Sequence, residues 1–290
     1  MDSKNLTFTP LRISTLVTTG HLGTTVNLDK LFEQFHKYAI PIGYPDEGFL
    51  KIEYVEKAIG YSSRDILSKR KVSKNSFFNQ STLVVRKKKE DNSGFKEVNL
   101  KLFANGGFQM TGITSETYSK SVLSWIIDIM NNMPTKLSDK DFSITKFSVQ
   151  LLNSDYKMNA LVRRDELHRI LVNKYKLFST LETTIYQGIN TKYYYNEEYV
   201  PNDDVALSRN LFQKENAKLK NGICWCDKPC SGQGDGKTLG NCKRITIAIF
   251  RTGSVIITGA RNQNQLDESY EFINKVLKQH AFETLKPISA

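Results

Sequence analysis

The sequence predicts an α+β fold made of two copies of one unit, whose strands form antiparallel sheet with helices packed on one face and the other face bare. Three observations predict it. Residues 243–261, KRITIAIFRTGSVIITGAR, alternate as a two-strand hairpin: Ile245, Ile247, Ile249, Val255 and Ile257 take one parity, while Thr246, Ala248, Phe250, Ser254, Ile256 and Thr258 take the other. An exposed sheet face normally carries charge and long polar side chains, so a face this small and apolar is built to be covered by something. The same pattern occurs in NLKLFANGGFQMTGIT, residues 99–114, where Phe103, Gly106 and Thr111-Gly112 match Phe250, Gly253 and Thr258-Gly259 at one offset of 147. Lastly, LRISTLVTT and the helical NLDKLFEQFHKY superpose without a gap on FSVQLLNSDYKM and RRDELHRILVNKY at an offset of 136, which brings Leu16 onto Leu152 and Leu31 onto Leu167.

Taken in order, residues 1–10 read as a tail. A strand follows, and then a helix capped by Asn27 with Leu28, Leu31, Phe32 and Phe35 on one side. Pro41, Gly43 and Pro45 break the pattern, so residues 40–74 are expected to be an insertion holding a possible strand, GFLKIEYV. FFNQSTLVVRKKK and the hairpin come next, then a helix capped by Thr114 or Ser115 and closed by Pro134. The first repeat thus spans residues 11–135. The second, 136–283, repeats the order with TTIYQGINTKYYYN as a strand, an insertion at 197–242 carrying every cysteine, the hairpin, and a closing helix with Leu266, Tyr270, Ile273 and Leu277 on one side. Residues 284–290 read as a second tail.

Composition bounds the function. With 39% hydrophobic and 24% charged residues the 290-residue chain has the balance of a globular protein, and a formal charge of +11 points to an anionic partner. No apolar run approaches the length of a membrane span and the first residues lack a signal-peptide core, so an intracellular protein without a membrane partner is expected. In that setting cysteines serve as thiols or metal ligands. Cys224, Cys226, Cys230 and Cys242 form C-x-C-x3-C with a fourth Cys after eleven intervening residues, a set that can hold structural zinc if the Gly-rich segment 232–240 folds back. The alternative is four reduced thiols in an exposed loop. No phosphate loop or nucleophile with its base is evident: GQGDGKT lacks the required spacing, and His21, His36, His168 and His280 are scattered and expected at the surface. The sequence therefore reads as a non-enzyme.

IAIFRTGSVIITGAR and LKLFANGGFQMTG resemble the paired strand motifs of the TATA-box-binding protein family, and the insertions and cysteine cluster are similar to those of the family's representatives in large DNA viruses. The resemblance covers both repeats. It implies a saddle whose two repeats form one curved antiparallel sheet with helices on the convex face. It further implies a transcription-factor-like protein that binds the minor groove of double-stranded promoter DNA with the concave sheet, kinks it with aromatic wedges, and recruits transcription initiation factors. The wedges fall on Phe103 and Phe250, on Phe77 or Phe78, and on Tyr186. Thr111, Thr258, Ile256 and Arg261 match further groove-facing positions. Thr15 and Leu151 stand where the family has Asn, with Val17 and Asn153 two residues on; Gln109 replaces an aliphatic, and Lys101 faces the same way. The family's usual phosphate-binding Lys is absent at Gly107 and Ser254, so the basic segments Lys69 to Lys74, Arg86 to Lys89 and Lys218 to Lys243 are expected to replace it. The resemblance places the protein in the nucleus or a viral replication compartment of the host cytoplasm, with packaging in the virion a further expectation. A sheet module that docks protein or an RNA–DNA hybrid without bending DNA is the alternative.

Overall fold

The strand parity of the two hairpins decides where the core lies. In a computed structural model describing residues 3–68, 77–184, 187–201, 218–228 and 230–288, Ile245, Ile247, Ile249, Val255 and Ile257 are fully buried, and so are Val98, Leu100, Leu102 and Met110. Removing each such side chain from water contributes about 2 kcal/mol, which fixes strand register because a one-residue slip would expose the whole set. The chain divides into two compact units, Thr15–Gln150 and Met1–Ser14 with Leu151–Ala290. They are called here the first-repeat and second-repeat units.

In the first-repeat unit, β1 (Arg12–His21, shared with the other unit), β2 (Gly48–Tyr54), β3 (Lys57–Gly60), β4 (Gln80–Lys88), β5 (Phe95–Phe103) and β6 (Gly107–Ile113) form antiparallel sheet in the order β3-β2-β4-β5-β6-β1. Helix α1 (Leu28–Phe35) starts where Asn27 Oδ1 accepts from Lys30 N at 2.9 Å. Helix α3 (Glu116–Asn131) starts at Ser115, which caps Tyr118 N at 2.9 Å. Both pack on one sheet face. Phe49 of β2 sits between Phe35, edge-on at 5.4 Å, and Trp125, stacked at 5.2 Å, while Thr18 of β1 bonds Ser119 of α3 at 2.9 Å.

The second-repeat unit holds β7 (Lys146–Lys157), β9 (Ser179–Leu181), β10 (Gly188–Tyr195), β11 (Lys243–Phe250) and β12 (Ser254–Ala260), ordered β7-β12-β11-β10-β9. Its helices among the described residues include α4 (Arg164–Asn173), α5 (Gln263–Gln279) and the short α6 (Ala281–Thr284). Two buried tyrosines bond α5 to the sheet: Tyr156 donates to Asn274 Oδ1 and Tyr193 to Glu268 Oε1, both at 2.7 Å. Burial raises both phenols well above their ordinary value, so they remain donors across the physiological range. At the hairpin tips, Gly253 (φ +81°) and Gly106 (φ +89°) need left-handed backbone, and a Cβ there would meet Ala160 O at 2.3 Å or Thr24 O at 1.9 Å. No helix among the described residues is long and apolar enough to cross a membrane.

Several expectations change. The segment 40–74, read as an insertion, places β2 in the sheet beside β4, the position β9 takes beside β10 in the other unit. Alternation in GFLKIEYV was the available clue. Residues 3–10 do not hang as a tail: Thr9 N donates to Lys157 O at 2.8 Å, Thr7 N to Asn159 Oδ1 at 2.9 Å, and Phe8 meets Tyr156 edge-on. At the other end β13 (Leu285–Pro287) pairs with β8 (Ala160–Val162), so residues 285–287 are strand rather than tail. His280 is buried beside Tyr175 and Glu283 instead of lying at the surface.

Candidate functional site: two sheet faces and a cysteine cluster

Each sheet has a second face, formed by the residues alternating with the core. In the second-repeat unit it carries Asn153 and Asp155 of β7, Ile256 and Thr258 of β12, Thr246, Ala248 and Phe250 of β11, and Asn190 and Lys192 of β10. Cross-strand pairing sets them in rows: Asn153–Thr258–Thr246–Lys192 and Asp155–Ile256–Ala248–Asn190. Lys192 Nζ donates to Thr246 Oγ1 at 2.8 Å, and Arg12 bonds both carboxylate oxygens of Asp155 at 2.9 and 3.1 Å. Asn153 Oδ1 is buried with no hydrogen-bond partner among the described residues. An orphaned buried oxygen costs about 1–3 kcal/mol unless water or another partner reaches it. Phe250 is half-buried opposite the bare backbone of Gly188, where a Cβ would stand 3.1 Å from the ring.

The corresponding face of the first-repeat unit carries Thr15, Val17 and Thr19 of β1, Gln109 and Thr111 of β6, Asn99, Lys101 and Phe103 of β5, and Thr82 and Val84 of β4. Its rows are Thr111–Asn99–Val84 and Thr19–Gln109–Lys101–Thr82. One end is occupied. Helix α2 (Ser63–Ser68) is held there by Ser63, which donates to Glu97 from N at 3.0 Å and from Oγ at 2.6 Å, and by Asp65, which accepts from Lys51 Nζ at 2.8 Å. Burial opposes the charge on Lys51, but Asp65 and Glu53 outweigh it and hold its pKa above the usual value. Asp65 is likewise disfavoured by burial, yet Lys51 and Ser62 bring its pKa below the carboxylate norm. Arg64 and Ser62 of this segment wall a cavity floored by Val84, Asn99 and Thr111, while Tyr61, Ile66 and Leu67 are exposed to solvent. Nothing in the sequence announced this placement; a six-residue helix has too little periodicity to reveal its face.

At the opposite end, Phe103 is half-buried and pairs with Gln80, and Ala104 N donates to Asn79 O at 2.9 Å. These bonds bring the exposed Phe77 and Phe78 into the turn beside Phe103. Tyr186 and the basic segment Lys69 to Lys74 lie outside the described residues. In the segment Arg86 to Lys89 the last two lysines are exposed, while the first two residues are already engaged. Arg86 donates to Ile42 O at 2.7 Å and stacks over Phe95, whereas Lys87 is buried against Glu47 and the Trp125 ring. In the third basic segment Lys220 pairs with Glu268 at 2.6 Å, and burial followed by the nearby Arg261 and Arg244 lowers the pKa of the buried Lys243. Arg261 has its backbone N bonded to Gln265 Oε1 and a buried Nε without a partner among the described residues.

The four cysteines converge. Their sulfur atoms all lie within 4.8 Å of one another, with Cys224 3.3 Å from Cys230 and Cys226 3.4 Å from Cys242. Around them are groups that donate to sulfur: Gly240 N to Cys226 Sγ at 3.1 Å, and Asn196 Nδ2 and Tyr199 Oη to Cys242 Sγ at 3.4 and 3.1 Å. Without a cation, burial pushes the Cys242 thiol up to about 12. At Cys224 burial is overcome by hydrogen bonds from the Cys226 and Cys230 backbone, bringing it to about 7. Four sulfurs at this spacing, ringed by donors, form a set that could hold a metal ion. Asn196 and Tyr199 escaped the sequence reading because they sit in a polar stretch far from the cysteines in sequence.

The chain is similar to known proteins in three comparisons. The family model described as transcription factor TFIID (or TATA-binding protein, TBP) matches residues 240–280, which hold β11, β12 and α5. A curated relative, the TATA-box-binding protein-like protein of Acanthamoeba polyphaga mimivirus, is 27% identical over 93% of this chain; the chain spans 65% of that relative's length. Among solved structures, Methanococcus jannaschii TBP matches with a TM-score of 0.48 and 13% identity, over 93% of this chain and 99% of that one. The chain is thus TATA-binding-protein-like in its match to the family model and resembles the viral protein over most of its length.

Proposed function

We propose that the chain binds duplex DNA through the second faces of its two sheets, enters the minor groove and kinks it as a promoter-recognition factor in transcription initiation. One observation carries the reading. Both repeats place a half-buried Phe, Phe103 or Phe250, at the turn end of a face opposite the aliphatic core, at the same offset. A Phe on that parity contributes nothing to the core, whereas inserted between base pairs it opens a step at a cost of a few kcal/mol, offset by the surface the bent duplex then covers. Phe77 or Phe78 and Tyr186 supply the partner wedges, and Asn153 stands on the contact face. Thr15, Val17, Thr111, Thr258, Ile256, Gln109 and Lys101 line the contact, with Arg261 at its margin. With a formal charge of +11 the chain attracts the phosphate backbone, so affinity falls as salt rises through counterion release. Transcription initiation factors are the further partners of this reading, in the nucleus or a viral replication compartment.

The cysteine cluster holds a structural zinc ion in the same proposal. Bound there it would tie Cys224, Cys226 and Cys230 to Cys242, the residue immediately before β11, and so fasten the loop to the strand that ends in Phe250. A second reading, a sheet that docks protein or an RNA–DNA hybrid, is favoured by α2, which occupies part of the first-repeat face. Affinity measured in parallel for A·T-rich duplex, G·C-rich duplex and RNA–DNA hybrid separates them. The DNA reading expects tightest binding to A·T-rich duplex with a bend; equal or tighter binding of the hybrid without a bend would replace it.

A further inference from the structure

The two faces differ at one register position, and the difference has a chemical meaning in the minor groove. Gln109 lies between Thr19 and Lys101 across the strands of the first-repeat unit, while Ile256, its counterpart at the offset of 147, lies between Asp155 and Ala248 in the second. The polar character extends along the first row, since Gln150 Nε2 donates to Thr19 Oγ1 at 3.0 Å and to Ser148 Oγ at 2.7 Å. In the second row the polar members stand at the two ends, Asp155, both of whose oxygens are taken by Arg12, and Asn190, so Ile256 and Ala248 form its apolar centre.

The minor-groove floor of an A·T or T·A pair offers acceptors alone, and a G·C pair adds the guanine N2 amino group as a donor. A β-branched Ile beside an Ala gives that amino group no acceptor and no room. Burying an unpaired donor against methyl groups is penalised. Gln109 carries a carboxamide oxygen on a flexible stem, which can accept from N2, and a carboxamide nitrogen, which can donate to N3 or O2. We propose that Gln109 and Ile256 make the two repeats read different base pairs: the second-repeat face demands A·T, and the first-repeat face admits G·C. This rests on the minor-groove reading above. It predicts a recognition site that is A·T-restricted along one part and mixed along the rest, so that the protein binds such a site in one orientation.

The test is a competition titration against an A·T duplex in which one G·C pair is moved through every position. It is run with the wild-type chain, Gln109→Ile and Ile256→Gln, with thermal unfolding of each variant as a check on folding. For wild type, G·C should be tolerated within about threefold at some positions and cost about tenfold or more at others. Gln109→Ile should impose the tenfold loss at the tolerated positions alone, and Ile256→Gln should relieve it at the restricted ones. If folded Gln109→Ile leaves the wild-type pattern unchanged, or lowers affinity equally at every position, the assignment is overturned although DNA binding stands. If the wild-type chain binds none of these duplexes, the minor-groove reading fails and this inference falls with it.

Discussion

The two sheet faces began as one design and now differ in what lies on them. In the second-repeat unit the inserted segment is bonded to strand ends: Gly232 O accepts from Arg244 N, Gly222 O from Tyr194 N, and Asp235 O from Gln265 of α5. Thr246, Ile256, Thr258 and Phe250 keep the small apolar surface that the strand pattern describes. In the first-repeat unit β2 takes the place that β9 has in the other, and the segment after it adds β3 to the sheet edge and lays α2 over one end of the face, fastened to Glu97 and Lys51. Among the described residues, an inserted segment therefore leaves a face open where its anchor is beyond the strands and remodels it where its anchor is on them.

The largest effect should come from swapping parity within one strand. Ile247→Ala, on the core side of β11, should destabilise the chain by about 2–5 kcal/mol in denaturant unfolding, whereas Phe250→Ala should change it by about 1 kcal/mol or less. Comparable losses for the two would mean that Phe250 belongs to the core and that the faces are misassigned. Next in size is the metal. A strong chelator should remove about one zinc per chain by elemental analysis and raise amide exchange at residues 218–242 and the first residues of β11, with the first-repeat unit unchanged. Protein purified without a metal tag and holding far less than one zinc per chain would leave the loop tied by its hydrogen bonds alone.

A smaller effect tests the anchor of α2. Glu97→Ala removes the acceptor of two bonds from Ser63, so α2 should loosen by about 1 kcal/mol, seen as faster exchange at residues 62–68 and around Val84. The acid limb should follow Asp65. Its pKa is held below the ordinary carboxylate value, so its contribution is complete above about pH 4 and is lost as pH falls through the lowered folded value. Release of α2 already near pH 6, where Asp65 is ionised in both states, would show that the Lys51–Asp65 pair is not what holds it.

What the sequence made legible follows from which features are periodic. Ile245, Ile247 and Ile249 announce both a strand and its buried side, and Asn27 and Ser115 mark helix starts through side chains that the structure shows accepting backbone bonds. The repeat order could be read for the same reason. Short elements could not: β9 has three residues and α2 six, too few to establish a period, and docking of residues 3–10 on β7 depends on partners about 150 positions away. Charge misled as well. Arg86 and Lys87 look like a phosphate-binding run in sequence, yet Glu47, Trp125 and Phe95 engage them, because long cationic side chains satisfy buried acceptors and aromatic rings as readily as solvent. Convergence of the cysteines was readable from spacing; the ring of donors around them was not.

The central claim is that the paired phenylalanines act on DNA. Its most direct test is energy transfer between dyes at the two ends of a short A·T-rich duplex, recorded with saturating wild-type chain, Phe103→Ala, Phe250→Ala and the double variant. Wild type should shorten the end-to-end distance strongly, each single variant should lose part of that shortening and the double variant nearly all of it, while all four remain folded. A straight duplex with saturating wild-type protein, or an undiminished bend with the double variant, would contradict it.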